Sequence, residues 1–470
     1  MKEFSVLLAQ FASKLDVSSL PLQVLDAAKI NVMDTLACAA AGSSAATVPQ
    51  VHRLVSEWGG APQADIWVLG GKVPAHHAAW INGTMAHARD YDDTHDAAVL
   101  HAGVSVVPAA LAAAQLGGKT GGADFLAGVI AGLETICRLG VAARITIIES
   151  GYMYTSLFGY FAATLAAARV LGLDESQCVN ALGIVYSKVA GNHQVTRDAA
   201  LTKRMQPGFA AMAALQSVQL ARLGIRGTQS TFDGDDGFFR VYMHDRMDRK
   251  SLSEGLGERF EFTRLSYKPY PCCRFNHPCI DAALSLRNTH RIRPEKIRAI
   301  QVGLNHQAHE AVCTPPEIRH APKTIVQAQF SAPYTIACAL VDGAVQLHHF
   351  AEPSLLRPEL LSLARKVRPY EAADIEHRSG RHISPTRISI EMEDSTIHEI
   401  YVDLSLGHPD RPMPDSIMRA KMDDCFLAAA QPLADRAAEK LQGLVSRLES
   451  MADVDALARC LDPVSCTETQ

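Results

Sequence analysis

The sequence predicts a mainly α-helical protein, a large all-helical domain into which a smaller α+β domain is inserted. Three observations carry this reading. Apolar residues in the first half recur at helical spacing on Ala-rich segments that end at glycines. After about residue 266 the pattern changes to strand-like alternation. Helical periodicity then returns near the C-terminus.

Taken in order, Leu22 to Ala41 presents Leu25, Ala28, Val32 and Leu36 on one face and stops near Gly42. Ala123 to Val141 repeats the pattern with Phe125, Val129, Leu133 and Ile136. Leu157 to Leu171 and Gly208 to Leu223 are Ala-rich and close before Gly172 and Gly224, which read as C-caps. Small residues on so many faces let helices approach closely, so these segments form a compact bundle. The Ala-rich segment after Val104 is interrupted by Pro108 and is too short to span a bilayer.

Downstream, Ile300, Val302 and Leu304 alternate with polar or small neighbours, as a half-buried strand does. Ile388, Ile390 and Met392 do the same, as do Ile400, Val402 and Leu404, with Glu393 to Thr396 between them as a hairpin turn. Helical stretches at Ile280 to Arg287 and Tyr334 to Val341 lie among these strands. From Ser416 to Met451 the chain reads as helical again and returns to the first domain. The expected division is a helical domain of 1–266 completed by 406–470, with the α+β domain at 267–405. A cleft between two such domains is a favoured place for a small-molecule site.

Composition narrows the function. Hydrophobic residues make up 48% and charged residues 20% of 470, and the net charge is -5, which excludes the concentrated basic face of a nucleic-acid binder. Eleven cysteines without regular spacing do not form a disulfide framework. The N-terminus, Met1-Lys-Glu-Phe, lacks the apolar run of a signal peptide. The expectation is a reduced cytoplasmic protein with no membrane or nucleic-acid partner.

Several tempting motifs fail on physical grounds. Gly117-Gly-Lys-Thr120 lacks the leading glycine of a phosphate loop, since Ala113 stands there, and it follows a helix instead of a strand. Gly255-Leu-Gly257 lacks its third glycine, and Asp233-Gly-Asp-Asp-Gly237 has its glycine misplaced for a calcium loop. Cys272, Cys273, His277 and Cys279 do not have the spacing of a zinc centre. Asp90, Asp93 and His95 have no third-ligand motif beside them, so no metal and no cofactor is expected.

Two polar clusters stand out. His87-Ala-Arg-Asp-Tyr-Asp-Asp-Thr-His95 with His101 packs three carboxylates and three imidazoles into an apolar neighbourhood. Burying these groups is costly unless they pair or meet a ligand, and it can bring a carboxylate or imidazole towards the neutral pKa of a general base. If the segment is helical, Asp90 and Thr94 share a face. Lys203 and Arg204 precede an Ala-rich helix, where backbone N–H groups add to their charge, and Tyr154-Thr-Ser156 offers hydroxyls before Leu157. Lys268-Pro-Tyr-Pro-Cys-Cys-Arg-Phe-Asn-His-Pro278 supplies Lys268 and Arg274. An acidic and a basic cluster together suggest an enzyme acting on a small anionic substrate.

The segments Asn82 to His95, Lys203-Arg204, Lys268 to Pro278 and Ser331-Ala-Pro-Tyr-Thr-Ile-Ala337 resemble the MmgE/PrpD family, over about residues 22–450. Its members dehydrate 2-methylcitrate, decarboxylate cis-aconitate or epimerise iminodisuccinate. The resemblance implies a helical domain with an α+β lid, a homodimer and metal-free chemistry on di- or tricarboxylates. It puts active-site positions at Asp90, Thr94, His101, Lys203 and Lys268. The departures are also informative. Met153-Tyr154 stands where many members have His-Pro, His101-Ala-Gly103 replaces His-Pro-Ser or His-Pro-Gly, Gln206 replaces a histidine, and Arg89 precedes Asp90 in place of an apolar residue.

A lost site imidazole weakens reactions that need a strong acid for a departing hydroxide, but it leaves proton exchange beside a carboxylate open. The leading expectation is therefore a cofactor-independent epimerase of the iminodisuccinate type. Asp90 or His101 and Lys203 or Lys268 would carry protons, while Arg89, Thr94, Tyr154, Arg204 and Arg274 would bind substrate. The alternatives are a lyase of the same family and a non-catalytic carboxylate-binding protein.

Overall fold

The computed structural model describes residues 3–379, 383 and 385–464. The chain is mainly α-helical and divides into two compact units, Met1–Leu265 with Cys425–Gln470 and Ser266–Asp424. The second division falls at 424, within the helix Asp415–Leu427 and beyond the 405 read from the sequence.

The first unit is helical throughout its core. Its principal helices are α1 (Phe4–Lys14), α2 (Leu22–Gly42), α3 (Val48–Trp58), α4 (Ala75–His87), α5 (Gly103–Gly117), α6 (Gly122–Ala142), α7 (Tyr154–Val170), α8 (Glu175–Tyr186) and α9 (Gln206–Arg222). The four helices anticipated from periodicity correspond to α2, α6, α7 and α9, each within a few residues. Gly172 and Gly224 follow the last two at φ 68° and 86°, the left-handed conformation glycine adopts without strain.

Close helix crossings explain the small residues. A Cβ on Gly42 would collide with the carbonyl of Met85 in α4, and one on Gly208 with that of Trp80. Helix α4 is thereby clamped between α2 and α9, and α7 packs on α5, α6 and α9. Pro108 does not interrupt the chain; α5 runs through it. The carbonyl of Val104, which Pro108 cannot bond, faces the close approach of Gly83 from α4. Helix α6 is long and apolar enough to cross a bilayer, but 94% of that stretch is buried inside the protein, as a core helix is.

The second unit centres on a four-stranded sheet of order β2-β1-β3-β4, with β1 (Ile297–Leu304), β2 (Val367–Glu371), β3 (Thr386–Met392) and β4 (Ile397–Val402). Strand β1 pairs antiparallel with β3, which pairs with β4 through the expected hairpin. Ile300, Val302, Ile388 and Ile390 are fully buried. Leu404 lies beyond β4. Helix α10 (His277–His290) covers β3 and β4, and α11 (Ala332–Asp342) packs on α10. Strand β2 escaped the sequence reading because Pro369 breaks its pattern; a proline is tolerated there because β2 is an edge strand, parallel to β1.

The C-terminal stretch read as helical, Ser416 to Met451, contains two α-helices, Asp415–Leu427 and Ala437–Ser446. Pro432 lies in the break between them.

Candidate active site

The site in the first unit begins where α4 ends. His87 closes that helix, and Asp90 adopts φ 55°, so the chain turns away and cannot remain helical. Asp90 and Thr94 therefore do not share a helical face; Thr94 lies on the short extended segment Thr94–His95. The chain then doubles back, with a backbone bond from His95 N–H to the Leu100 carbonyl at 2.8 Å. Val99 completes that turn at φ 53°. A β-branched residue held there stores roughly 1–3 kcal/mol of strain, which a site that must fix His101 at the turn's exit sustains.

The carboxylates that follow take separate roles. Asp93 accepts the N–H groups of Ala102 at 2.8 Å and Gly103 at 2.9 Å and so closes the start of α5. Burial and the neighbouring Asp92 nonetheless push its pKa up to about 6. Asp92 is wholly buried, and its Oδ2 lies 2.8 Å from His87 Nδ1 and 2.9 Å from His101 Nδ1. The first is a directed hydrogen bond; the second is close but poorly aligned for one. Burial alone would raise Asp92, but His101 and His87 hold it well below the usual carboxylate range. Burial takes His87 down to about 4, with the Lys203 ammonium adding to the effect and Asp92 opposing it.

Lys203 arrives on the 3-10 turn Leu201–Met205 just before α9. Its Nζ lies 3.2 Å from His87 Nε2 and 3.4 Å from Asp90 Oδ1. Asp90, His101 and Lys203, the expected proton carriers of this unit, thus meet in one cluster, Asp90 buried and the other two partly exposed. Its connecting members, His87 and Asp92, were not among the predicted site residues. The signal for them was present, an imidazole on the buried end of an Ala-rich helix and a carboxylate five residues on.

The expected carboxylate-binding groups have protein partners. Arg89 donates to the carbonyl of Ala41 at 3.0 Å and to Ser44 Oγ at 2.7 Å, while Arg204 donates to the carbonyl of Ala46 at 3.1 Å. Both cations thus hold the chain at and just beyond the C-terminal end of α2, where helix carbonyls attract positive charge. Burial, with Arg89 nearby, takes Arg204 down to about 10. Thr94 Oγ1 donates to Asp96 at 3.0 Å, and the Tyr154 hydroxyl donates to the Ile145 carbonyl. Tyr154 is the first residue of α7, three residues earlier than read from the sequence. Met153 precedes it as the N-cap, and the Thr196 hydroxyl lies 3.7 Å from its sulfur.

Lys268 and Arg274 belong to the second unit, and both are buried. Their loop is pinned by Tyr270, whose hydroxyl donates to Asp281 at 2.8 Å, and by Arg274, which donates to the Leu406 carbonyl at 2.9 Å. Cys279 contacts Thr386 at 3.6 Å and His277 faces the Cys272 carbonyl at 3.3 Å, so these residues do not converge on one centre.

Among the described residues, His87, Asp92 and His101 have metal-like spacing, their ligand atoms within 4.8 Å of one another, as do His309, Glu310 and Glu371 in the second unit. The Lys203 ammonium beside His87 opposes a divalent ion at the first. At the second, His309 is half-buried and the carboxylates exposed, and Glu371 already accepts from His306 at 3.0 Å.

Comparison with known proteins agrees with this architecture. A model of the MmgE/PrpD N-terminal domain matches residues 6–250, and one of the C-terminal domain matches 270–448. The chain is 28% identical to the cis-aconitate decarboxylase-like protein oryM of Aspergillus oryzae, over 96% of this chain and 95% of the relative. It is 28% identical to a cis-aconitate decarboxylase of Aspergillus terreus, covering 97% and 95%. A cis-aconitate decarboxylase of Mus musculus is 26% identical, covering 95% and 91%.

Proposed function

Because the chain belongs to the MmgE/PrpD family, we propose that it is a lyase acting on a small di- or tricarboxylate, with decarboxylation of a cis-aconitate-like substrate as the leading reaction. The relatives' names favour this reading over the epimerase expected from the sequence. The observation that carries it is the Lys203 ammonium, bracketed by His87 Nε2 and Asp90 Oδ1 in the cluster that also holds His101.

The chemistry needs few parts. A cation binds a substrate carboxylate and stabilises charge as it develops. The bond to the departing carboxylate breaks and carbon dioxide leaves, its electron pair passing to carbon conjugated with a second carboxylate. An acid then delivers a proton to carbon. Lys203 serves as the cation, and His101 or Asp90 as the proton carrier. No metal or cofactor is required by these steps.

One observation favours the epimerase as a second reading. Met153 stands where the family resemblance expects an imidazole, and removal and return of an α-proton needs no acid for a leaving group.

Incubation in deuterium oxide with cis-aconitate, 2-methylcitrate and iminodisuccinate, followed by proton NMR, separates these readings. Loss of carbon dioxide with deuterium at carbon supports the decarboxylase. New olefinic signals from 2-methylcitrate support a dehydratase. Exchange at an α-carbon with interconversion of stereoisomers would replace the lyase with the epimerase. Binding without any change in the substrates would leave a carboxylate-binding protein.

A further inference from the structure

The contacts around His87 define its hydrogen positions. His87 is buried, and its low pKa, about 4, keeps the ring neutral near pH 7. A neutral imidazole carries one N–H. Asp92, held ionised by its two imidazole neighbours, can only accept, so the hydrogen sits on Nδ1 and bridges the 2.8 Å to Asp92 Oδ2. Nε2 is then a bare lone pair, and it faces the Lys203 ammonium at 3.2 Å. The ammonium donates to it and, at 3.4 Å, to Asp90.

We infer that His87 is a positioning residue for Lys203, locked by Asp92 in the Nδ1–H tautomer so that its Nε2 aims the ammonium. The opposite tautomer would point an N–H at a cation and leave Asp92 facing a lone pair. Both contacts oppose it. The same Asp92 oxygen also lies 2.9 Å from His101 Nδ1, and the His87 and His101 rings meet edge to face with centroids 4.7 Å apart. One buried carboxylate oxygen therefore orients the His87 ring behind the cation and lies against the His101 ring at the edge of the cluster.

The inference rests on the proposed lyase reading only where it ties Lys203 to turnover; the tautomer stands apart from it. The direct test is nitrogen NMR of the full-length protein labelled at histidine ring nitrogens, at pH 7. His87 is expected to show a protonated Nδ1 and a bare Nε2, with the Nε2 resonance moving in Lys203→Ala as its donor is lost. An Nε2–H tautomer, a doubly protonated ring, or an Nε2 signal indifferent to Lys203→Ala would overturn the inference.

A kinetic test joins it. His87→Gln keeps an acceptor able to reach Lys203, whereas His87→Phe does not. The Phe variant should lose about 10- to 100-fold in kcat with a smaller change in KM, and the Gln variant should recover most of that loss. Equal losses in both would reduce His87 to a packing residue. Inactivity of the parent on every polycarboxylate would remove the lyase reading and leave the NMR result standing.

Discussion

The N–H of Gly103 donates to Asp93 Oδ1 at 2.9 Å, joining the start of helix α5 to the acidic cluster. The same glycine is hemmed in from the other side. A Cβ added to it would collide with Thr35 Oγ1 and lie 2.7 Å from Asn31 Oδ1 and 2.8 Å from Asp93 Oδ1. All three neighbours are buried and cannot swing into solvent. Gly103→Ala should therefore cost about 1–3 kcal/mol of stability by overpacking. It should also lower turnover by displacing Asp93 from its cap. Urea denaturation and steady-state rates measure both; an unchanged midpoint would mean α2 yields at no cost.

Buried groups in this cluster give opposite pH dependences. His87 has a folded pKa of about 4, below its ordinary 6.5, so the unfolded chain binds its proton first. Its contribution is complete above 6.5 and is lost as pH falls towards 4. Asp93 has a folded pKa of about 6, above its ordinary 3.8, so its contribution is complete below 3.8 and is lost as pH rises through 6. Each effect amounts to roughly 1–3 kcal/mol. The two oppose one another between pH 4 and 6. Relative to the parent, His87→Gln should make stability fall more steeply as pH rises across that window, and Asp93→Asn should do the reverse. Denaturation midpoints at pH 4, 5, 6 and 7 would show the crossing, and parallel curves for all three proteins would refute it.

Which parts of this could be read from sequence follows from what each part leaves in the chain. Helices α2, α7 and α9 were legible because Ala-rich apolar faces end at glycines with positive φ or close crossings, and α6 because its apolar residues recur at helical spacing. Strand β2 was not, since Pro369 disguises an edge strand that only its partner β1 defines. In the site, Asp90, His101 and Lys203 were recognisable as chemistry-bearing types in an apolar context. His87 and Asp92 were not selected, because their role lies in a shared oxygen and a tautomer that no spacing records. Arg89 and Arg204 looked like carboxylate clamps, yet their backbone acceptors at the end of α2 lie more than 40 residues away in sequence for one and more than 150 for the other.

Among the described residues Arg138 is the least exposed guanidinium, and it should be the most costly to remove. It pairs with Glu134 at 2.5 Å and donates to the carbonyls of Ser251, Leu252, Glu254, Gly255 and Arg259. The segment 251–259 is thereby tied to α6. Arg138→Ala leaves Glu134 buried and several carbonyls without donors, an expected loss of about 3–5 kcal/mol. Arg138→Lys should lose nearly as much, because one ammonium cannot reach the spread of acceptors. An unfolding free energy for the lysine variant within about 1 kcal/mol of the parent would contradict this, since the fork geometry would then not matter.

Lysine substitutions separate an enzyme from a binding protein. Lys203→Ala should lower kcat by about 10²- to 10³-fold, the usual cost of removing a group that stabilises developing charge. Lys268→Ala in the second unit should also reduce turnover if the lyase reading holds. A carboxylate-binding protein would instead show weaker affinity by calorimetry and no turnover to lose. Retained kcat in Lys203→Ala would move the developing charge elsewhere.

Met153 tests the reaction itself. It is the N-cap of α7, with its backbone N–H bonded to the Gly191 carbonyl at 3.3 Å and its sulfur near the Thr196 hydroxyl. It is only half-buried, so an imidazole fits there with a hydroxyl already beside it. The start of a helix disfavours the charged ring and keeps its pKa within reach of neutral pH. If an acid at this position assists proton delivery, Met153→His should raise decarboxylation of cis-aconitate by about 10-fold or more, within the range expected of a positioned acid. The gain should appear in kcat, because the substrate carboxylates gain no new partner before the carbon–carbon bond breaks. A rate unchanged by Met153→His would leave the proton with His101 or Asp90, and a gain confined to KM would make residue 153 a binding contact instead.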